Sequence, residues 1–469
     1  MALPVIACRM SVTVPDQPVS PAASAQARLE AELIPVVTFV GEEDSRKSLA
    51  ERQGELGVPA VSVAVLRNGK LSWARAYGEG ISTRTQFQAA SLSKTVAAAG
   101  LLLLAEEQGV SIDDDIASAL PVDLATLNPE AYPLTLRKLL SHTNGTAVSG
   151  FPGYVVGGDV PTTSQVVMGS GPANTEPVTV SANPAGERRY SGGGYTIAQL
   201  WAETVTGDPF AEVMARLVLE PLEMNDSTFV QSAPADTPTA DRARAFGAAG
   251  DPVAGGWHLY PEMAAAGLWT TPTDYLKFVA AILAGIDGRN AGLAPEIART
   301  MATEVAGEYG LGIGVKAIGE TIRLSHSGSN RGYRCNFMAY PSTGDAVITM
   351  TNAAGGWPLV GDVGRTANVI YGWPSAPPII RERAQVTAEE LEGIAGSYGR
   401  VGGTDPSFIL AASGRQLLGQ TPDGGFRFKL VKIGPTTYID PDDGEEVEIN
   451  RAPDGAVTIQ TANNQYFKM

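Results

Sequence analysis

Phe87-Gln88-Ala89-Ala90-Ser91-Leu92-Ser93-Lys94-Thr95-Val96 joins a chemically loaded turn to the apolar run Ala97 to Ala105. A helix that begins near Ser91 places residues three apart on one face, so Lys94 returns beside the Ser91 hydroxyl. That hydroxyl is a weak nucleophile until a base or a positive field activates it. The plain alternative is a serine that caps free N–H groups at a helix start. Ser91-x-x-Lys94 is the only Ser-x-x-Lys in the chain. A motif this short is weak alone, so its meaning depends on what surrounds it.

Outward from this stretch, the chain has 469 residues, which suggests two or three domains. A hydrophobic content of 44% with 18% charged residues is that of a soluble globular protein. The formal net charge of −16 argues against nucleic-acid partners and anionic lipid surfaces, which need a basic face. Cys8 and Cys335 supply neither a disulfide framework nor zinc-ligand spacing and are read as free. No stretch approaches the ~18 apolar residues of a membrane span, and Val96 to Ala105 suits a buried helix instead. Near the N-terminus, Val5-Ile6-Ala7-Cys8 resembles a lipoprotein cleavage box and Ala23-Ser24-Ala25 a signal-peptidase site. Neither follows a basic start and an apolar core of about 7–15 residues. The expectation is a disordered leader, rich in Pro and Ser, up to about Ala25.

Ala27 to Val40 carries Leu29, Leu33 and Val37 at helical spacing, and a second short helix is expected over Ser45 to Leu56. Pro59 to Leu66, the Asn68-Gly69 turn and Leu71 to Tyr77 predict a β-hairpin. The Ser91 helix should end near Gly109. Ser111 to Asp115 reads as a solvated acidic turn, since it lacks the glycine and distal glutamate of a calcium loop. A short helix from Leu134 runs to His142 and ends at Asn144-Gly145. Thr146 to Pro184 has little periodicity and reads as a long loop. Helices are expected over Tyr195 to Val205, Pro209 to Leu222 and Pro272 to Ala284. Strand signals return at Thr321 to His326, Phe337 to Tyr340 and Ala346 to Thr351. These predict antiparallel partners for the early hairpin, hence an α+β arrangement. Pro374 to Pro378 marks a linker, and from Leu391 about eight short β segments predict a small barrel or sandwich.

Three constellations line up in order: Ser91-x-x-Lys94; Tyr190-Ser191-Gly192-Gly193-Gly194-Tyr195; and His326-Ser327-Gly328-Ser329-Asn330 at the end of a β run. With Leu134 to Gly145, Pro221 to Met224 and Ala266 to Thr270, the chain over about 50–372 resembles the serine β-lactamase-like family. That family includes class C β-lactamases, DD-peptidases and related esterases and D-aminopeptidases. It carries Ser-x-x-Lys, Tyr-x-Asn and a Lys-Thr-Gly or His-x-Gly strand in this order.

The resemblance implies a β-lactamase/transpeptidase-like fold: an antiparallel sheet with flanking helices plus a helical domain, followed here by a small all-β unit. It divides the chain into a leader and first helix (1–45), a hydrolase domain (46–373), a Pro-rich linker (374–386) and a barrel-like domain (387–469). It implies catalytic Ser91, Lys94, Tyr190 and His326, with Gly328 and Ser329 binding substrate. Ser91 would attack a carbonyl, Tyr190 would take its proton, and Lys94 would supply a positive field or share that proton. The Ser91 and Ser329 amides would hold the oxyanion, and His326 would bind substrate acceptor groups. No cofactor or metal is implied, and the histidines His142, His258 and His326 have no ligand spacing. The partners are small esters, amides or peptides. The family resemblance points to a periplasmic or secreted site, though no complete signal peptide is present.

The family's asparagine is Gly192 here, which removes an amide that holds a substrate carbonyl. This favours an esterase or peptidase-like hydrolase over an efficient β-lactamase, with Asn330 or Asn183 as replacements to consider. The alternative is a slow penicillin-binding or regulatory protein that keeps the fold. Arg334 is either a partner for a substrate carboxylate or, more simply, a surface or salt-bridged residue. With no Gly-x-Ser-x-Gly elbow, His142 reads as structural, and His258 has no identifiable partner. The barrel would cover the catalytic mouth or mediate oligomer contacts.

Overall fold

In the computed structural model, which describes residues 21–42, 45–183, 186–232, 242–374, 376–400, 403, 405–422 and 424–469, the first element is helix α1 (Pro21–Ala31). The helix is earlier and shorter than the spacing of Leu29, Leu33 and Val37 predicts. Val37 instead begins strand β1 (Val37–Phe39), so the three apolar side chains are buried from different backbone conformations. The helix also takes up Ala23 to Ala25, where a disordered leader was expected. Val5 to Cys8 lie outside the described residues.

Helix α2 (Leu49–Leu56) starts later than expected, because Ser48 and Glu51 close a reciprocal capping box at its head. Then come β2 (Val61–Arg67) and β3 (Lys70–Tyr77), joined through Asn68 and Gly69, both with positive φ, as a tight hairpin requires. Helix α3 (Ser93–Glu107) and the short helix α4 (Leu136–Leu140) follow. The 146–184 segment is not wholly irregular, since it contains a helix at Thr163–Met168 and a two-residue strand at Tyr154–Val155. Next are α5 (Gly192–Thr206), α6 (Met263–Ala266) and α7 (Pro272–Ile286).

The late strands are β4 (Gly314–Ile318), which sequence reading missed, β5 (Thr321–Asn330), β6 (Tyr333–Tyr340) and β7 (Asp345–Thr351). Among the described residues the main sheet has the order β3-β2-β7-β6-β5-β4 and is antiparallel throughout. The early hairpin joins the late strands through β2 and β7, with Val61 opposite Thr351 and Leu66 opposite Ala346. Both faces of β2 are covered. Val61, Val63 and Val65 enter one core with Leu359 and Val363 of helix α8 (Trp357–Tyr371), while Ala64 and Leu66 enter the other with α3 and α7. This alternation buries a β-branched run on both sides.

The 374–386 stretch is not a free tether. Its strand β8 (Ile379–Arg381) pairs in parallel with β1, and Arg383 pairs with Glu42. Helix α9 (Ala388–Ile394) leads into a closed barrel of eight strands between Gly396 and Lys468. Val37 and Phe39 pack on barrel residues Val431 and Ile439. Buried Arg52 of α2 bridges Asp362 of α8 and Asp442 of the barrel. The barrel therefore packs on the α2–α8 side of the sheet, whereas Ser91 lies on the α3–α7 side. That placement contradicts the expectation that it covers the mouth of the Ser91 site. No helix among the described residues is long and apolar enough to cross a membrane.

Candidate active site

Ser91 sits in a single 3₁₀ turn (Ala90–Leu92) directly ahead of α3. Ala90 before it is fully buried at φ +47°, a conformation that costs a non-glycine residue about 1–2 kcal/mol. The surrounding packing holds it there: Ala89 N–H donates to Leu268 O, and the Ser93 hydroxyl accepts from Leu268 N–H. One turn on, Lys94 is 2% exposed, so its ammonium must find fixed acceptors. Nζ lies 3.2 Å from Ser91 Oγ and 2.7 Å from the carbonyl oxygen of Ala265 in α6. The Ala265 carbonyl has no sequence signature, because any residue there would supply it.

The second motif reaches the same place from the head of α5. Lys94 Nζ stands 5.1 Å from the centroid of the Tyr190 ring. Tyr190 packs against His142 at 4.4 Å and lies 6.2 Å from the His326 ring. Ser191 caps α5 by accepting from Gly194 N–H, and its hydroxyl donates to Ala147 O. Gly192 and Gly193 donate their amides to Ser149 O and Val148 O. A Cβ at position 192 would lie 2.9 Å from the Phe151 ring and 3.3 Å from Ser149 O. The space beside residue 192, where the Tyr-x-Asn pattern has a side chain, is thus taken by the 147–151 segment. Neither proposed replacement has a spare amide N–H: Asn330 donates to Gln88 Oε1 and Ala266 O, and Asn183 donates to Thr143 O and Glu187 O.

The third motif is the end of β5. Strand β4 stops where Gly314 faces Ser325, leaving 326–330 an open edge among the described residues. The turn 330–333 closes on the pair Asn330 and Tyr333; by antiparallel alternation, the Ser329 amide then points to that edge. Gly328 is forced by contact. A Cβ there would lie 2.6 Å from Ala89 O, 2.6 Å from Cys335 Sγ and 3.0 Å from Ser91 N. That face of β5 therefore packs against the nucleophile turn. Cys335 is free and buried, and donates to Ala89 O.

His326 differs from the expectation that it meets substrate. Its Nδ1 lies 2.7 Å from Ser327 O, which can only accept, and Nε2 lies 3.0 Å from the Tyr309 hydroxyl. Both nitrogens are spent inside the protein. Burial, then the nearby Lys94 charge, pushes its pKa down to about 3, so the ring is neutral. His142 is also held neutral by burial and Lys94. Its Nδ1 accepts from Ser191 N–H, and its ring contacts Tyr190, Tyr195 and Tyr309. It belongs to the wall behind Tyr190, which a helix-end position in the sequence does not reveal.

Arg334 meets neither of its expectations. It is buried beneath Trp357, donates to Asn330 O and Tyr333 O, and points to the α8 face, while the next residue, Cys335, faces Ala89. His258 does have a neighbour: its Nδ1 lies 3.0 Å from Pro152 O. Arg188 and Tyr309, which sequence reading did not single out, stack at 5.4 Å beside this site.

The family model described as Beta-lactamase matches residues 46–369. Protein flp of Staphylococcus aureus (strain N315) is 24% identical over 190 residues, covering 37% of this chain; the chain spans 36% of the length of that relative. Among solved structures, the octameric penicillin-binding protein homologue from Pyrococcus abyssi superposes with a TM-score of 0.58 at 20% identity, over 90% of this chain and 98% of that one. D-amino acid amidase from Ochrobactrum anthropi SV3 gives 0.56 at 22% identity, over 75% and 98%. Both structures show likeness of fold.

Proposed function

The chain belongs to the β-lactamase family, and from that premise we propose that it is a serine hydrolase working through an acyl-enzyme on Ser91. The observation that carries the proposal is Lys94 Nζ, buried and 3.2 Å from Ser91 Oγ, with Tyr190 alongside. Ser91 Oγ attacks the substrate carbonyl carbon, and the carbonyl electrons move onto oxygen. The serine proton passes to the Tyr190–Lys94 pair and then to the departing alkoxide or amine. Water attacks the ester so formed and returns the serine. The amides of Ser91 and Ser329 hold the oxyanion, one at the head of α3 and one on the open edge of β5. His326 acts as a positioning residue, since its nitrogens hold Ser327 O and Tyr309.

The substrates are small esters or amides, D-amino-acid amides among them. An extended amide can lie along the unpaired edge 326–330 as an added strand. Phe151 beside Gly192 replaces a polar contact with an aromatic wall, which disfavours β-lactams. Ser91→Ala abolishes covalent labelling by a fluorophosphonate or penicillin probe; labelling that survives overturns the assignment. A panel of p-nitrophenyl esters, D-amino-acid amides and nitrocefin ranks the substrates.

The same Gly192 and the neutral His326 also favour a second reading, a slow acylating protein. A mass increase that persists after probe treatment supports it, and rapid turnover of simple esters excludes it.

A further inference from the structure

Among the described residues, the C-terminal barrel is filled at one end and open at the other. Leu391 and Ile394 of α9 enter the core beside Tyr398. The strand Gly396–Arg400 runs from α9 to Arg400, which lines a cavity of about 400 Å³ at the far end. Phe408, Phe426, Phe428 and Tyr466 line it. Phe408 meets Phe428 at 5.5 Å and Tyr466 at 4.9 Å, while Phe426 stacks on Phe428 at 6.0 Å.

Asp440, Asp443 and Glu445 share the lining of this cavity, with Arg400 as the one basic residue among the described lining. An acidic hairpin turn by itself means little. Here, though, the turn is split in its roles: Asp442 is ion-paired with Arg52 and Lys429 on the hydrolase side. The other three have no ion-pair partner among the described residues. Among the described residues, the Asp440 carboxylate, 5% exposed, accepts from the Asp442 and Lys429 amides, and Asp443 accepts from Glu445 N–H. Burial and mutual repulsion push all three carboxyls up, Asp440 to about 7. Three acidic groups thus stand beside aromatic rings with Arg400 as the sole cation lining the cavity among the described residues.

We propose that the open end of the barrel is a second binding site, for a small cation with a flat apolar body, such as an arylalkylammonium. Its volume is in the range of small-molecule sites, which pair apolar walls with a few convergent polar groups. The ammonium meets Asp440, Asp443 and Glu445, and the ring packs among Phe408, Phe426 and Phe428. Phe426, Phe428, Asp440 and Asp443 also line a cleft of about 940 Å³, whose other wall is Gly54 to Gly57 with Trp357 and Pro358. The ligand therefore enters from the seam between the domains, on the side of the sheet away from Ser91.

Calorimetric titration of the full-length protein at pH 8 with 2-phenylethylammonium tests this, with 2-phenylethanol as the neutral control. Binding at one site is expected, with the alcohol at least tenfold weaker, about 1.4 kcal/mol. Phe426→Ala, at a side chain 43% exposed, and Asp443→Asn, at an exposed turn residue, leave folding and ester turnover as in the wild type. Each weakens the ammonium about tenfold. Equal affinity for the alcohol, binding unchanged in both variants, or no binding at millimolar probe each overturns the proposal.

Discussion

Gly328→Ala is the sharpest probe of the proposed catalytic geometry. The added methyl would meet Ala89 O and Cys335 Sγ at 2.6 Å and Ser91 N at 3.0 Å, where ordinary contact begins near 3.4 Å. Two of these atoms are backbone of the nucleophile turn, and the fully buried Ala90 between them is already strained at φ +47°. Strand β5 and the turn must therefore part by roughly 0.8 Å, the shortfall at the two shortest contacts. Overpacking of this kind costs about 1–3 kcal/mol of stability. A displacement near 1 Å at a reacting group costs about 10²-fold in rate. The expected result is a fold that survives, a melting temperature lowered by a few degrees, and kcat for p-nitrophenyl acetate reduced about 100-fold. Cys335→Ala in the same chain relieves only the sulfur contact, so it restores stability in part and activity little. If Gly328→Ala alone keeps wild-type kcat, the β5 edge and Ser91 do not form one rigid site, and the oxyanion assignment to Ser91 and Ser329 fails.

Two further expectations concern the site. Gly192→Asn, which restores the family's side chain, should destabilise the protein by about 1–3 kcal/mol, because Phe151 and Ser149 O occupy the space. Adding Phe151→Ala should recover the melting temperature and raise nitrocefin turnover above wild type; no gain would mean the 147–151 segment does not set substrate preference. The second expectation concerns pH. His326 is held neutral when folded, with a pKa of about 3, while the unfolded imidazole titrates near 6.5. The unfolded chain therefore takes up a proton that the folded one refuses, so this contribution is complete above about pH 6.5 and is lost as pH falls towards 3. The loss is up to about 1.4 kcal/mol per pH unit. Buried Glu262 and Asp440, both raised to about 7, act in the opposite sense. They cancel in the difference between wild type and His326→Gln. That difference, from urea melts at pH 7.5 and 5.0, should shrink at the lower pH; a constant difference refutes the neutral, buried assignment.

Much of the architecture was legible in residue order. The Asn68-Gly69 hairpin, the apolar helix after Ser91 and the short C-terminal β segments are local patterns, and local periodicity and turn chemistry suffice to read them. The order of Ser91-x-x-Lys94, Tyr190 and His326-x-Gly328 likewise named the family. Three things lay beyond sequence because they depend on contacts between distant segments. The acceptor that fixes Lys94 is a backbone carbonyl, Ala265 O, which leaves no trace in residue identity. The absence of a side chain at Gly192 looked like a lost function. Packing shows a filled space, with Phe151 brought there from forty-one residues upstream. Residue type also made His326 and Arg334 look ready for substrate. Strand alternation turned Arg334 to the far face, and Tyr309 and Ser327 O took both imidazole nitrogens. Residue order alone determined which groups the chain possesses and in what kind of element each lies. The tertiary structure decided which of them remain free to react, because burial drives polar groups towards partners and only the packed neighbours fix which ones they find.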